Sequence, residues 1–188
     1  VRTGTAVRSI RRAEDGVQVQ LAEGPVQRFD QVVLAVHSDQ ALNLLADASA
    51  EERAVLGAIR YQSNDALLHT DVSVLPRNRR AWANWNYRVK RNGADRPVTT
   101  YNMSGLQGLD SAVPLCVTLN DCDAIDPATI IRRQRFSHPV YTTAAIAAQE
   151  NKHTISGVRR THYCGAYWGY GFHEDGVVSA LDVCRGFG

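Results

Sequence analysis

"THYCGAYWGYGFHEDGVVSAL", residues 161–181, decides the fold of this 188-residue chain because it joins three different patterns. Residues 160–166 predict a β-strand, glycines recur through the following residues, and a helix is predicted from Asp175 onwards. Val177, Leu181 and Cys184 lie at i, i+4 and i+7, which places them on one apolar helix face. A strand, a glycine-rich loop and a helix N-terminus in this order form a layout that holds a nucleotide cofactor at the carboxyl end of the strand.

The run His173, Glu174 and Asp175 stands just before the predicted helix face. Three consecutive residues point in different directions, whereas metal ligands on a helix lie at i, i+3 or i+4. We therefore predict no metal site, which disfavours the alternative of a metal-dependent hydrolase that uses His173 and Glu174. A purely structural explanation stays open, in which Glu174 and Asp175 cap the helix and the glycines only make turns.

The start of the chain predicts a β-meander followed by a buried strand. Turn signals at residues 14–16 and 23–25 separate short strand-like segments, as in antiparallel hairpins. Residues 32–36 are continuously apolar, which is typical of a strand buried on both faces of a parallel sheet. Residues 1–31 supply no parallel neighbour for this strand, so we expect partner strands outside the chain.

The middle of the chain predicts two helices and then an antiparallel sheet. Ser38 or Asp39 is expected to cap the first helix, and Ser49 with Glu52 forms a capping box for the second. Strands are predicted at "NDALLHTDVSVLP", "RAWANWNYRV", "VTTYNMSGL" and "LCVTLN", with a short helix at "DPATIIRR" and a further helix at "TTAAIAAQENK". The first and last parts of the chain are expected to form one domain, with this middle part inserted between them.

The overall composition excludes several classes of partner. The formal net charge is only +2 and the basic residues are mostly spread out, so no nucleic-acid partner is predicted. No apolar run reaches the ~20 residues of a membrane span, and no signal peptide is recognised. Cys116, Cys122, Cys164 and Cys184 form no C-x-x-C pair. They predict a reduced protein with buried thiols and hence a cytoplasmic location.

The quoted segment resembles the C-terminal FAD-binding motif of the flavin-containing amine oxidoreductase superfamily, and most closely its bacterial branch of predicted NAD/FAD-binding proteins. "GVQVQLAEGPVQRFDQVVLAVHSDQAL" resembles the meander and return strand of the FAD domain. "NDALLHTDVSVLPRNRRAWANWNY", "TYNMSGLQGL" and "HPVYTTAAIAAQ" resemble segments of the substrate domain. The family's N-terminal G-x-G-x-x-G fingerprint is absent. The resemblance therefore implies the C-terminal portion of a longer flavoprotein, with the missing N-terminal part as its partner.

This resemblance implies an α+β (α/β) fold in two parts. Residues 1–37 and 157–188 would form a partial FAD-binding Rossmann-type domain of β-meander, return strand and C-terminal strand-loop-helix. Residues 38–156 would form an inserted substrate-binding domain of antiparallel sheet plus helices. FAD is the implied cofactor, and the residues expected to contact it are Val7, Gly165, Ala166, Tyr167, Gly171, Phe172, His173, Glu174, Asp175, Gly176 and Val177. Ala166 and Tyr167 stand where the family often has an acid, so backbone contacts are expected there.

The activity that the resemblance implies is that of an FAD-dependent oxidoreductase, in which a hydride passes from the substrate to the flavin. The cofactor supplies this chemistry, so the sequence need not contain a strong acid or base, and no catalytic residue is assigned. The 188-residue piece alone is expected to be inactive and to bind FAD weakly or not at all. The alternative is a non-enzymatic binding module that retains only the flavoprotein scaffold.

The aromatic strand 82–87 is the main candidate for the substrate side, because one of its two faces is expected to line a cavity and the other to pack on a helix. The substrate-lining candidates are Trp82, Asn84, Asn86, Asn102, His138 and Trp168. Trp168 and Tyr170 are expected to wall the edge of the flavin. The expected ligand is a small-molecule or lipid-like substrate, and an exposed sheet edge is expected to favour self-association of the fragment.

Overall fold

The computed structural model describes residues 1–89 and 98–187. In chain order the strands are β1 (Val7–Ala13), β2 (Gly16–Leu21), β3 (Gln27–Phe29), β4 (Val32–Leu34), β5 (Tyr61–His69), β6 (Trp85–Arg88), β7 (Val98–Asn102), β8 (Cys116–Leu119), β9 (Ile130–Pro139) and β10 (Thr161–Tyr163). The helices are α1 (Ser38–Leu44), α2 (Ala50–Ala58), α3 (Met103–Gln107), α4 (Thr143–Glu150) and α5 (His173–Arg185).

The chain divides into two compact units, and their boundaries differ from the predicted ones. The first unit contains Val1–Gln62 and Pro139–Gly188, and the second contains Ser63–His138. Helices α1, α2 and α4 therefore belong to the first unit, whereas the prediction placed residues 38–156 together. The physical reason is a shared core. The buried cluster of the first unit joins residues of the meander to residues of these three helices, and it includes Ile10, Val17, Ala41, Leu45, Val55, Leu56, Ala145 and Ala148.

The predicted β-meander is confirmed as the antiparallel sheet β1-β2-β3. Ile10 lies opposite Val19, and both side chains are buried in the core cluster. Gly16 begins β2 with φ of +154°, and a Cβ atom there would lie 2.8 Å from the carbonyl oxygen of Phe29. The turn before β2 therefore requires glycine because β3 passes too close for a side chain.

The return strand is confirmed as a parallel strand, although its surroundings differ from the prediction. β4 pairs with β10, with Val33 opposite His162 and Leu34 opposite Tyr163. One parallel neighbour is therefore inside the chain, in the C-terminal segment that was predicted to share a domain with this strand. Leu34 is only 5% exposed, but Val33 is 44% exposed, so burial on both faces is wrong for this chain. An apolar cavity of about 560 Å³ lies beside β4 and is lined in part by Val7 and Val33.

A buried polar network connects the meander, the helix pair and β10. Arg12 donates to both carboxylate oxygens of Glu52, at 3.0 and 2.7 Å, and its Nε lies 2.9 Å from Asp47. The Tyr163 hydroxyl donates to Glu52 at 2.7 Å. Ser49 and Glu52 form the predicted capping box at the start of α2. Glu52, which the sequence identifies as a helix cap, is thus also a buried hydrogen-bond partner of Arg12 and Tyr163.

The second unit is built on the sheet β6-β7-β8-β5-β9, and several of its predicted segments need correction. The strand predicted at "VTTYNMSGL" ends at Asn102, because α3 begins at Met103, and the strand predicted at "NDALLHTDVSVLP" ends at His69. The strand predicted from residue 80 is shorter, because Arg79–Ala81 form a 3-10 turn that Asn78 caps. The helix predicted at "DPATIIRR" is wrong beyond Thr129. Asp126 caps a single 3-10 turn, and the chain then enters β9, the last strand in the sheet order. The β-branched pair Ile130 and Ile131 fits an extended segment better than a helix.

Two helix starts also differ from the prediction. α1 begins at Ser38, and His37 occupies the N-cap position, so neither Ser38 nor Asp39 is the cap. The Ser38 hydroxyl instead donates to the carbonyl oxygen of Ile59 at 3.1 Å and joins the two ends of the helix pair. α5 begins at His173, two residues before the predicted start.

The described residues contain no helix that is long and apolar enough to span a membrane. Over the same residues, no group of three or more His, Cys, Asp and Glu side chains is arranged to hold a metal ion. All four cysteines are free thiols, but only Cys116 and Cys164 are buried. Cys122 is partly exposed and Cys184 is exposed, which corrects the expectation of four buried thiols.

Candidate functional site

The loop between β10 and α5 is held at its start by the helix that follows it. The Cys164 amide donates to the carbonyl oxygen of Leu34 and extends the pairing with β4. The Gly165 amide donates to the hydroxyl of Ser179 at 2.8 Å, and this hydroxyl donates to the carbonyl oxygen of Gly176 at 2.9 Å. One buried serine of α5 therefore fixes the point at which the strand ends and the loop begins.

Three glycines of this loop are required by the packing of the loop itself. A Cβ atom at Gly165 would lie 2.5 Å from the ring of Tyr167, and one at Gly169 would lie 2.5 Å from the carboxyl group of Asp175. Gly171 has φ of +88°, and a Cβ atom there would lie 2.8 Å from the Tyr141 hydroxyl. The space beside these glycines is thus filled by the protein. It is not left free for a ligand.

The first turn of α5 contains His173, Glu174 and Asp175. The Asp175 carboxylate accepts hydrogen bonds from the amides of Tyr170 and Phe172, at 3.0 and 2.9 Å. It therefore caps the helix and pins the loop, as the structural explanation predicted. Because this carboxylate accepts a hydrogen bond from the Phe172 amide, the helix begins at His173, two residues earlier than predicted. The amides of a first helical turn have no partner within the helix, and they carry the positive end of the helix dipole.

Helix α4 supports the loop from the side through a residue that the sequence did not single out. The Gln149 amide nitrogen donates to the carbonyl oxygens of Tyr167 and Gly169, at 2.9 and 2.7 Å. The ammonium group of Lys152 lies 5.7 Å from the centre of the Trp168 ring, within cation-π range. The sequence gives little indication of this role for Gln149, because a polar residue near the end of an alanine-rich helix is common. Its spacing along the chain does not connect it to residues 167–169.

Two tyrosines beside the loop stay protonated at neutral pH. Burial, the negative charge of Asp175 and the neighbouring Tyr61 raise the pKa of Tyr141 to about 12. Burial is also the main cause that raises the pKa of Tyr167, whose side chain is almost fully enclosed. The Tyr141 hydroxyl has no hydrogen-bond partner among the described residues. It is a buried donor next to Gly171, and the sequence reasoning missed it.

The predicted cofactor residues lie together around this loop, with one exception. Ala166 begins a 3-10 turn, Ala166–Trp168, and its carbonyl oxygen accepts from Gly169 and Gly171. Gly176 faces Ala166 at ordinary contact distance, 3.8 Å or more from a built Cβ atom. Val177 is exposed on α5. Val7 lies instead at the start of β1, beside the apolar cavity. Contact of all these residues with a cofactor stays a prediction.

Most predicted substrate-lining residues lie in the second unit, where their polar groups bind local backbone. Trp82 donates from Nε1 to the carbonyl oxygen of Pro76, and Asn86 donates to the carbonyl oxygens of Ala83 and Thr100. Asn102 caps α3 through the amide of Gly105, and a Cβ atom at Gly105 would lie against Asn84.

The remaining two candidates are in different places. His138 lies at the end of β9, with its Nδ1 atom 2.9 Å from the side-chain nitrogen of Asn64. Trp168 belongs to the first unit and is partly buried in the loop before α5. The role of these six candidates in binding a substrate stays a prediction.

Exposed aromatic side chains border the first turn of α5. Tyr170 is 73% exposed and Phe172 is 59% exposed, so two aromatic rings lie at the surface next to the helix start. Aromatic surface combined with amide donors suits a flat heterocycle that carries carbonyl groups. The described residues contain no second glycine-rich turn that leads into a helix N-terminus.

Comparison with known proteins supports the same cofactor. Residues 1–78 match the sequence profile of the family described as "Flavin containing amine oxidoreductase". No curated protein shows significant sequence similarity to the chain. Among solved structures, a CLA-producing fatty acid isomerase from P. acnes matches with a TM-score of 0.66 at 16% identity, over 98% of this chain and 48% of that one.

Two oxidases have similar folds. Cyclohexylamine oxidase from Brevibacterium oxydans IH-35A matches with a TM-score of 0.57 at 14% identity, and a redesigned putrescine oxidase with 0.57 at 9%. Each match covers 96% of this chain and 48% of the other, so the chain spans about half the length of these structures. These structures confirm the predicted mixed fold. The match of residues 1–78 to a flavin-containing family supports FAD as the cofactor. Together they confirm the predicted resemblance to the flavin-containing amine oxidoreductase family.

Proposed function

We propose that this chain is the C-terminal portion of an FAD-dependent oxidoreductase that transfers a hydride from its substrate to the flavin. The observation that carries the proposal is the exposed first turn of α5, which follows a glycine-rich loop at the carboxyl end of a parallel strand pair. Ligands of open α/β sheets bind at that end of the strands. The flavin, when bound, supplies the hydride acceptor, and the protein supplies binding and orientation.

Each part of the loop has a distinct task in this proposal. The amides of His173 and Glu174 donate to the electron-rich carbonyl edge of the ring, where the helix dipole favours partial negative charge. Asp175 keeps the loop folded so that these amides stay accessible. Tyr170 and Phe172 provide aromatic surface that excludes water from the ring.

The proposal predicts that removal of one first-turn amide weakens flavin binding without unfolding the helix. Proline is tolerated at the first helical position, where it lacks only the free N–H group. His173→Pro in the full-length protein should therefore lower FAD affinity by about tenfold, as expected for loss of one good hydrogen bond. Flavin absorbance of the purified protein and titration of the apoprotein with FAD measure this change.

A matched control separates flavin binding from helix stability. Ala50→Pro makes the same change at the first position of α2, after an extended N-cap residue as in α5. It should leave FAD affinity and the flavin spectrum unchanged. Equal FAD affinity in His173→Pro and in the unmodified protein would overturn the assignment of α5 to the flavin ring.

We further propose that the remainder of the flavoprotein covers the apolar cavity beside β4. The partly exposed Val33 and the exposed Val177 and Leu181 support this proposal, because a strand and a helix face with this composition are normally buried. The 188-residue chain by itself should then bind FAD weakly or not at all. Retention of stoichiometric FAD by the purified chain through gel filtration would contradict this, and a colourless full-length protein would favour the non-enzymatic module.

A further inference from the structure

The two faces of the five-stranded sheet in the second unit differ in burial over its central strands, although Ala66 and Thr99 are buried on the more exposed face as well. The inner face contains side chains that are at most 3% exposed, namely Leu67, His69, Thr100, Cys116 and Thr118. The other face, which we call the open face, is made of the alternate residues of the same strands. Its members on β5, β6, β7, β8 and β9 include Ala66, Leu68, Trp85, Tyr87, Thr99, Tyr101, Val117, Leu119, Arg132, Gln134 and Phe136.

An apolar stripe crosses the open face at right angles to the strands. Trp85 lies opposite Tyr101, Tyr101 opposite Val117, and Val117 opposite Leu68. The rings of Trp85 and Tyr101 stack with their centres 5.7 Å apart, and Trp85 remains 60% exposed. Four side chains from four adjacent strands thus form a continuous surface, which polar side chains do not interrupt.

The stripe ends at an arginine on β9. Leu68, Val117 and Arg132 line a shallow cavity of about 390 Å³ together with Ala66, Gln134 and Phe136. Arg132 is the one formally charged side chain at the described strand positions of the open face, while its neighbour Arg133 alternates to the other side of β9. With strands about 4.8 Å apart, the distance from β6 to β9 is roughly 19 Å.

We propose that the open face binds a long-chain carboxylate, with its apolar chain along the stripe and its carboxylate on the Arg132 guanidinium. The stripe supplies apolar contact along one direction only, which suits an extended chain better than a compact ring. The single guanidinium at one end matches one anionic head group, because it forms paired hydrogen bonds with a carboxylate. That this ligand is the substrate of the oxidoreductase rests on the proposed function, whereas its binding does not.

Calorimetric titration of the full-length protein with octanoate, decanoate and dodecanoate, all below their micelle concentrations, tests the apolar part of the site. Each added CH₂ group should tighten binding by about twofold to fourfold while the chain still lies on the stripe. Val117→Thr keeps the shape of the side chain but makes the stripe polar, so it should weaken dodecanoate binding severalfold. Ile131→Thr makes the same kind of change on the other side of β9 and should have no effect.

A second pair of variants tests the head group. Arg132→Gln should weaken dodecanoate binding by about tenfold. Arg133→Gln removes the same charge from the adjacent residue and should change it less than twofold. Dodecanol and dodecylamine should bind about tenfold more weakly than dodecanoate to the unmodified protein, and Arg132→Gln should abolish the difference between dodecanol and dodecanoate.

Several results would overturn the proposal. These are affinity that is independent of chain length, equal losses in both arginine variants, binding to phosphatidylcholine vesicles but not to monomeric dodecanoate, or a dimer that Val117→Thr dissociates. Flavin absorbance of the same sample reports separately on the proposed function. If the protein is colourless but still binds dodecanoate through Arg132, the proposed function is wrong and this binding site stands. If the protein is yellow but does not bind dodecanoate, the proposed function stands and this binding site is wrong.

Discussion

Glu52 and Asp175 occupy the same position in two helices of the first unit and have different surroundings. Each is the third residue of its helix, and each accepts a hydrogen bond from the N-cap amide, from Ser49 at 2.7 Å and from Phe172 at 2.9 Å. Glu52 is also bound by the guanidinium of Arg12 and lies buried in the core. Among the described residues, Asp175 accepts one further hydrogen bond, from the Tyr170 amide of an exposed loop.

The difference teaches that a local capping motif does not by itself decide the role of its carboxylate. Around Glu52, the guanidinium of Arg12 and the hydroxyl of Tyr163 are buried with it, so the cap carries the connection between β1, α2 and β10. Around Asp175, the neighbouring groups are loop amides next to exposed aromatic rings, so the cap shapes a candidate binding surface. We expect mutations of the first to affect stability and mutations of the second to affect local order.

The largest effect is expected for Glu52→Gln. The change removes the charge of Glu52 from the buried guanidinium of Arg12, which keeps Asp47 as an ionised partner. Loss of one charged hydrogen-bond partner at a buried site costs about 2 kcal/mol of unfolding free energy. Denaturant-induced unfolding followed by circular dichroism measures this loss. Glu23→Gln, in the exposed turn between β2 and β3, is the control and should change the unfolding free energy by less than about 0.5 kcal/mol. Equal effects in both variants would remove the contrast.

A pH dependence of stability should follow from the same carboxylate. Burial tends to raise the pKa of Glu52, but hydrogen bonds from Arg12, Ser49 and Tyr163 outweigh it, so the pKa is lowered in the folded state. The unfolded chain then takes up the proton at a higher pH than the folded one. The contribution is complete above the ordinary glutamate pKa and is lost as the pH falls through the lowered value. Unfolding free energies measured from pH 7 downward should fall less steeply in Glu52→Gln.

The smallest effect is expected for Asp175→Ala. Loss of a helix cap with its hydrogen bonds typically costs about 1 kcal/mol, because the freed amides at the surface are solvated by water. Hydrogen exchange of the Tyr170 and Phe172 amides should become faster, while exchange in the core strands should hardly change. A global loss as large as that of Glu52→Gln would show that the loop before α5 is part of the core and would contradict the comparison.

Local sequence patterns correctly predict those elements whose residues favour the same conformation that the tertiary structure gives them. The meander, the capping box of α2, and α4 were predicted because their alternation, caps and helical patterns lie within short segments. β9 was missed because a capped proline turn precedes it and resembles a helix start. The alternation of side chains in the sequence predicted that β6 has two faces. It did not predict which face is buried, because burial depends on paired strands that are distant in sequence.

The sequence alone determined the order of strand, glycine-rich loop and helix at residues 161–181, and with it the resemblance to a flavoprotein. Such signals are local, since strand period, turn residues and helix caps act over a few residues. Only the tertiary structure decided which groups fill the space around the glycines, that Gln149 supports the loop, and that Glu52 pairs with Arg12 while Asp175 does not. These contacts join residues far apart in the chain, and no short-range pattern specifies them.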